Sequence, residues 1–209
     1  MTAIAIAWPR LGLSGKTAEL ESTEPGTAAS DRTLLAAVAA GDKSAMQLLY
    51  SRHNVRVFRF ISRIVKNLPL AEDLVSEVFL DVWRSARSFK GKSQVSTWLL
   101  SIARHKAFSA LRRRCDEQLD DAALATVEDP GDDPETLMDK EHLGVIVRKC
   151  LAQLSPAHRE VLDLVYYHDK SIDEITEIVG IPASTVKTRA FYARSHMEKF
   201  LKSAGVAAL

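Results

Sequence analysis

The chain has 209 residues, a formal net charge of +1, 46% hydrophobic residues and two cysteines. This length allows one or two domains, and two cysteines without a C-x-x-C pair exclude a disulfide framework and a cysteine zinc site. No apolar run approaches the roughly 18 residues that a membrane span requires, and the first residues lack a signal peptide's basic start and long apolar core. We therefore expect a cytoplasmic protein without direct membrane insertion.

The near-zero net charge hides a strong segregation of charge along the chain. Residues 30–115 carry 16 basic and 6 acidic residues, residues 116–141 carry 1 and 11, and residues 142–209 carry 9 and 7. We predict a basic domain at 30–115, a flexible acidic linker at 116–141, too poor in apolar residues to order itself, and a second domain at 142–209. Residues 1–29, rich in small and polar residues, are expected to be a disordered tail. The basic domain predicts a polyanionic partner.

Helical periodicity dominates the chain from residue 31, which predicts an all-α fold of two small helical domains joined by the linker. In the first domain the apolar stripes and their breaks predict helices over about 31–41, 43–66, 70–87 and 96–114. The stripe of the second helix assigns Met46, Leu49, Phe58, Ile61 and Val65 to its packed side. In the second domain a stripe over 143–154 is followed by a helix that opens at Ser155-Pro156, with a serine cap and a proline at its first position.

The most informative segment is 171–197, which predicts a helix-turn-helix. Ser171 followed by Glu174 is a capping box, Gly180 suits a left-handed helix end, and Pro182 can restart the chain. In the second helix every third or fourth residue from Val186 is apolar and faces inward. The opposite face carries short polar groups and an aromatic, flanked by cations, which suit a major groove: Ser184, Thr188, Phe191 and Ser195, with Lys187, Arg189 and Arg194 beside them.

The fourth predicted helix alternates aromatic and basic groups, and a loop with Lys90 and Lys92 precedes it. Aromatic rings can stack on unpaired bases while lysine and arginine follow the phosphates. The alternative is that Trp98 and Phe108 belong to the core and that the arginines form a solvated helix end. Because the basic excess is concentrated in this domain, we favour a nucleic-acid contact.

The third predicted helix is acidic within this basic domain. Asp73, Glu77 and Asp81 stand four residues apart, with Glu72 beside them, and form a ridge opposite the apolar stripe. Such a ridge would repel DNA and suits a protein partner with basic groups. A plain solvated face is the alternative, and composition alone favours it.

Catalytic chemistry finds no support in the sequence. The six histidines are scattered, and neither H-E-x-x-H nor a glycine-rich phosphate loop is present. Cys115 lies next to three arginines, but a bystander thiol at a helix end explains it better than a reactive one. We predict that the protein is not an enzyme and holds no metal or cofactor.

With these residues in view, the chain resembles the bacterial sigma-70 family, and within it the extracytoplasmic-function (ECF) group, over about residues 31–200. The segment AEDLVSEVFLDVW looks like region 2.2, and FKGKSQVSTWLLSIAR looks like regions 2.3 and 2.4. The segment LSPAHREVL is similar to region 4.1, and IPASTVKTRAFYAR to the region 4.2 recognition helix. His105 stands where many ECF factors have asparagine, and Tyr192 where a basic residue is common.

The resemblance implies a role for each motif. The ridge of Asp73, Glu77 and Asp81, with Phe79 and Trp83, would dock on the β′ clamp helices of core RNA polymerase, and the second domain on the β flap. The outer face of the recognition helix would bind the −35 promoter element through Ser184, Thr185, Lys187, Thr188, Arg189, Phe191 and Arg194. The loop and the fourth helix would melt and hold the −10 element through Lys90, Lys92, Thr97, Trp98, Arg104, His105, Ser109, Arg112 and Arg113.

Two further expectations follow from the resemblance. ECF factors are usually held inactive by an anti-sigma factor, so one is expected here. The linker would run through polymerase towards the RNA exit path. It would either imitate a phosphate backbone or simply be kept extended by the repulsion between its own charges, and we favour the second interpretation.

The rival hypothesis is a conventional helix-turn-helix regulator whose first domain senses a ligand or dimerises. A regulator should bind duplex DNA alone, whereas a sigma factor should need core polymerase.

Overall fold

The computed structural model describes residues 29–117 and 138–204. Within these ranges the chain forms α-helices and one 3₁₀ turn at Ala86–Ser88, without a β-strand, which confirms the predicted all-α class. The helices are α1 (Asp31–Ala39), α2 (Lys43–Val65), α3 (Leu68–Ser85), α4 (Val95–Glu117), α5 (Met138–Gln153), α6 (Pro156–Tyr166), α7 (Ile172–Val179) and α8 (Ala183–Ser203). The predicted disordered tail (1–29, apart from its last residue) and most of the predicted linker lie outside the described residues.

Side-chain caps explain where the first helices begin. The Ser30 hydroxyl accepts the N–H of Thr33, and the Asp42 carboxylate accepts those of Ser44 and Ala45. The segment Asn67-Leu68-Pro69, expected to separate two helices, is itself the start of α3, because the Asn67 side chain accepts the N–H of Leu70. Asparagine is a strong N-cap and proline is tolerated in the first turn, so α3 begins two residues earlier than predicted.

The N-terminal domain, α1–α4, is built around α2, which contacts each of the other three helices. Phe60 and Val57 are almost fully buried, although the apolar pattern did not assign them to the packed side. Phe58, which it did assign there, is only half-buried. The packed surface of α2 is wider than one stripe because neighbouring helices cover it from several directions.

The C-terminal domain, α5–α8, contains the predicted helix-turn-helix. Both hydrogen bonds of the Ser171–Glu174 capping box are present, and Gly180 ends α7 with a φ of 74°. That left-handed backbone favours glycine because a Cβ would clash with the carbonyl oxygen. Pro182 is the N-cap of α8, and the inward residues of α8 are buried as predicted: Val186, Ala190, Ala193 and Met197.

The two domains pack against each other, mainly through α4 and α7. One apolar cluster continues across both, from Phe60 and Leu99 of the first domain to Leu164 and Ile175 of the second. The sequence, with its acidic linker, suggests two separate lobes and contains no local signal for this contact. The contact decides which predicted site residues are accessible.

Candidate nucleic-acid interface

Helix α8 presents the predicted DNA-binding face to solvent. Because its opposite face is buried against α6 and α7, the side chains of the outer face point away from the protein. Phe191 is 63% exposed, which is unusual for an aromatic side chain without a partner surface. Ser184, Lys187 and Thr188 are exposed with it, while Thr185, Arg189, Arg194 and Ser195 are half-buried.

Tyr192 extends this aromatic surface. Its side chain is 57% exposed, and its ring meets that of Phe191 edge-on, with centroids 5.6 Å apart. The phenol offers a hydroxyl where a cation was expected from the resemblance, so this position can donate one hydrogen bond but supplies no charge. The outer face of α8 therefore combines cations, hydroxyls and two exposed aromatic rings, a composition that suits a helix in a major groove.

The predicted −10 residues of α4 and its preceding loop fall into two groups. Lys90, Lys92, His105, Arg112 and Arg113 are exposed, and Trp98 and Ser109 are half-buried. Trp98 packs against Phe89 with ring centroids 5.2 Å apart, so its indole is partly a core element, as the alternative interpretation held. Ser109 accepts a hydrogen bond from Arg112 at 3.1 Å. These residues leave a basic strip along the exposed side of α4.

Two predicted −10 residues are not free. Thr97 is fully buried, and its hydroxyl donates to Glu174 of α7 at 2.5 Å. Arg104 donates to both carboxylate oxygens of Glu160 in α6, at 2.6 and 3.3 Å, and its guanidinium lies 4.5 Å from the Phe108 ring centroid. In this conformation neither side chain is available to DNA, which corrects their prediction as accessible contacts. The reason is the packing of the C-terminal domain on α4.

The acidic ridge of α3 is present but partly neutralised. Lys106 of α4 lies 3.1 Å from Glu77 and 2.9 Å from Asp81. Hydrogen bonding to Asp81, strengthened by Glu77, raises the pKa of Lys106, so it stays charged. Asp73 remains exposed. Lys106 was not predicted as part of this site, although its aromatic-basic helix had been singled out.

The two aromatic residues that were predicted to dock beside the ridge are not the hydrophobic side chain that is exposed there. Phe79 is 4% exposed and packs edge-on against Tyr50, with centroids 4.7 Å apart, so in this conformation it is a core residue and not the accessible docking side chain that was expected. Trp83 is half-buried against the core. Leu80 is 46% exposed beside the ridge instead. Its position outside the apolar stripe of α3 was the signal that could have identified it.

A groove between α3 and α4 adjoins the basic strip. It has a volume of about 400 Å³ and is lined by Asp81, Arg84, Ser85, Ser101, Ile102 and His105. The groove is open to solvent, and five of its six lining residues have polar side chains. His105, predicted at the −10 site, therefore stands at the edge of a space large enough for one planar group.

Glu174 has the most perturbed environment at the domain boundary. Burial alone would raise the pKa of this carboxyl, but hydrogen bonds from Lys170, Thr97 and the backbone N–H of Ser171 outweigh it and lower the pKa to about 2. The carboxylate therefore stays charged at every physiological pH. Glu174 thus links the N-terminal cap of α7 to α4. Its predicted role in the capping box did not indicate this second contact.

We expect Glu174 to make the folded state sensitive to acid. Its pKa is 4.5 in the unfolded chain and about 2 in the folded one, so it contributes stability above pH 4.5 that is lost as the pH falls towards 2. Thermal unfolding of Glu174→Gln should show a smaller decline over that interval than the wild type. Glu177→Gln, at an exposed position of the same helix, should decline like the wild type. Equal declines for all three proteins would contradict the assignment.

The described ranges offer little support for a reactive cysteine, a metal site or a membrane span. Cys150 is buried, and burial raises the pKa of its thiol, so it is a packing residue. Across residues 29–117 and 138–204, no three histidine, cysteine or acidic side chains gather as a metal site would require. None of the helices in these ranges combines the length and the hydropathy of a membrane span.

Comparison with known proteins agrees with this geometry. Residues 49–115 match the family described as Sigma-70 region 2, and residues 144–197 match Sigma-70, region 4. The ECF RNA polymerase sigma-E factor of Escherichia coli K12 is 32% identical over 178 residues, which cover 81% of this chain and 93% of that protein. The RNA polymerase sigma-H factor of Pseudomonas aeruginosa is 29% identical over 189 residues, covering 84% and 96%.

Solved structures share the fold. The sigma factor RpoE of Bartonella quintana, solved in complex with the anti-sigma factor NepR, superposes with a TM-score of 0.64 at 24% identity, covering 75% of this chain and 96% of that one. CnrH, solved with the cytosolic domain of CnrY, gives 0.61 at 21% identity, covering 83% and 97%. The conventional regulator is not favoured, and the chain belongs to the ECF group of the sigma-70 family, the sigma factors that direct transcription initiation by RNA polymerase.

Proposed function

We propose that this sigma factor recognises promoters through two separate surfaces. The outer face of α8 enters the major groove of the −35 element, while the loop with Lys90 and Lys92 and the exposed strip of α4 hold the melted −10 element. The observation that carries the proposal is Phe191, 63% exposed among hydroxyls and cations on a helix whose other face is buried. The exposed pair of Phe191 and Tyr192 beside these cations suits a binding surface.

We further propose that the chain divides the work with core RNA polymerase. Unstacking bases costs a few kcal/mol per step. The C-terminal domain, with 9 basic and 7 acidic residues over 142–209, carries too little net charge to hold duplex DNA tightly by itself. The α3 ridge of Asp73, Glu77 and Asp81, with the exposed Leu80, would dock on the β′ clamp helices, and the C-terminal domain on the β flap. Binding alone, without catalysis, would be the contribution of this chain.

We also propose that the protein acts in the cytoplasm, where core polymerase works, under the control of an anti-sigma factor. Support comes from RpoE, which has this fold and is described in complex with the anti-sigma factor NepR. We propose domains at 30–115 and 142–209, which is supported by family matches that lie within them, at residues 49–115 and 144–197. The acidic segment 116–141 would span the polymerase between them.

Run-off transcription tests the proposal. Core polymerase is combined with the full chain and a promoter library randomised at −35 and −10. We expect transcripts with a single start site, and we expect them to depend on the chain and on defined sequences at both elements. A chain that shifts duplex DNA alone but yields no start-site-specific transcript with core polymerase would instead support the conventional regulator.

Phe191→Ala should weaken binding to the selected −35 element about tenfold or more, since burying a phenylalanine side chain contributes on the order of 1.5–3 kcal/mol. The unfolding midpoint should change little because the ring is mostly exposed. Fluorescence anisotropy with the polymerase-bound chain measures the affinity, and calorimetry measures stability. A large loss of stability would mean that Phe191 belongs to the core.

A further inference from the structure

A small cavity lies between α2, the first turns of α4 and the segment that joins α6 to α7. Its volume is about 10 Å³. Four of its lining residues are basic, namely His53, Arg56, His168 and Lys170, and among the described residues that line it none is acidic. The lining therefore suits a ligand that accepts hydrogen bonds and carries negative charge.

His168 brings unused hydrogen-bonding capacity to this cavity. The side chain is 3% exposed and lies edge-on to Phe60. Within residues 29–117 and 138–204 neither ring nitrogen has a hydrogen-bond partner, although Nε2 lies 3.4 Å from a carboxylate oxygen of Asp163. Buried polar groups are almost always hydrogen-bonded because an unpaired one costs free energy. A ligand that accepts a hydrogen bond from this ring would remove that cost.

The charges around the cavity leave one cation uncompensated. Three carboxylates contact lining residues, and each is paired with a cation: Asp31 with Arg52, Asp163 with Arg63, and Glu174 with Lys170. Arg56 also lines the cavity, and no ion pair within the described ranges includes it. With both histidines neutral the site still has an excess positive charge, which favours an anion over a water molecule.

Lys170 contributes charge to the cavity but no free donor. Its side chain is buried, and its ammonium group donates to three oxygens, those of Ser96 at 2.7 Å, Thr97 at 3.0 Å and Glu174 at 2.8 Å. These bonds use all three N–H groups of a lysine. The hydrogen bonds to an anion would therefore come from His168 and Arg56.

The size of the cavity restricts the anion to a single atom. A volume of about 10 Å³ is close to the space that one water molecule needs, so a polyatomic anion such as sulfate or phosphate does not fit. Arg56 is exposed, whereas His53, His168 and Lys170 are buried, so an ion would enter past the Arg56 side chain. Chloride is the abundant monatomic anion in water.

On these observations we propose that this cavity is a binding site for one chloride ion, held by His168 and Arg56 and surrounded by the positive charge of Lys170. Arg56 belongs to α2 and His168 to the segment after α6, so the ion is shared by the two domains and stabilises their packing. Neither residue belongs to the proposed promoter-binding surfaces, so the site is independent of promoter recognition.

Thermal unfolding of the full chain in potassium chloride tests the site, with potassium gluconate at the same ionic strength as the reference. A ligand that binds only the folded state raises the unfolding midpoint as its concentration increases. Between roughly 10 and 300 mM chloride the midpoint should rise by about 2 °C or more beyond the change in gluconate. Equal changes in the two salts would overturn the proposal.

Arg56→Gln should abolish the chloride-specific rise, because it removes the uncompensated cation at an exposed position where the fold tolerates the change. His168→Leu removes the buried donor and should have the same effect, and Arg56→Gln alone decides if that variant does not fold. The matched control is Arg114→Gln, at an exposed position of α4 about 20 Å beyond Leu100 along the helix axis. A wild-type rise in Arg56→Gln, or an equal loss in the control, would contradict the site.

Crystals of the full chain grown in sodium bromide locate the ion, because bromide can replace chloride and scatters X-rays anomalously. We expect an anomalous peak within hydrogen-bond distance of His168 and Arg56. Ordered density there without an anomalous signal would identify a water molecule and overturn the anion site. Bromide found only elsewhere on the surface would be an adventitious ion only, and it would overturn the proposal equally.

Discussion

Phe60→Ala is expected to lower the free energy of unfolding by about 3–5 kcal/mol, the usual cost of deleting a fully buried aromatic ring. Phe60 is 1% exposed and is the largest of the fully buried side chains. Its ring also lies edge-on to His168 across the domain contact, with centroids 5.4 Å apart. The loss should therefore combine a cavity in the N-terminal domain with a weaker attachment of the C-terminal domain.

Urea unfolding followed by circular dichroism measures this loss. The matched control is Phe191→Ala, the same substitution at an exposed position, which should stay within about 0.5 kcal/mol of the wild type. If the two variants lose similar stability, the orientation of α2 or α8 in this account is wrong. If Phe60→Ala costs less than about 1 kcal/mol, the site is not part of a close-packed core.

Removing two cations from the outer face of α8 should produce the largest effect on DNA binding. Lys187 is exposed and Arg194 half-buried, and both flank the predicted major-groove face. With the chain bound to core polymerase, the double variant Lys187→Ala/Arg194→Ala is expected to lose about tenfold to hundredfold in affinity for promoter duplex DNA at moderate salt. Its plot of log affinity against log salt should be shallower by about two, since each lost phosphate contact removes nearly one released counterion.

A second pair of lysines provides the control for this experiment. Lys199 and Lys202 lie in the last turns of the same helix, roughly 18 Å or more from Lys187 along the axis. Lys199→Ala/Lys202→Ala removes the same charge, and its affinity and salt slope should remain close to those of the wild type. A similar loss for both pairs would indicate attraction by net charge alone, without a defined binding face.

The local features of the fold were predictable because short sequence patterns encode them. The Ser171–Glu174 capping box, the left-handed Gly180 and the buried stripe of α8 all depend on residues within a few positions of one another, and all are confirmed. The start of α3 was misplaced by two residues because Asn67 acts as a cap and not as a break. Helix ends are where competing local signals are hardest to weigh.

Burial on α2 and α3 was harder to predict because it depends on what each helix meets. Phe79 looks like a surface aromatic beside an acidic ridge, but Tyr50 from α2 covers it. Lys106 reaches the ridge from a position 29 residues beyond Glu77. Periodicity describes a single helix, whereas these contacts depend on how helices are placed against one another.

By itself the sequence determined an all-helical chain with a basic first domain, a helix-turn-helix in the second, and an exposed polar and aromatic face on α8, because caps, periodicity and charge are local properties. Only the tertiary structure decided that Thr97 and Arg104 are held by Glu174 and Glu160, which lie 77 and 56 residues away. Such pairings arise when two folded surfaces meet, and no spacing within either segment encodes them.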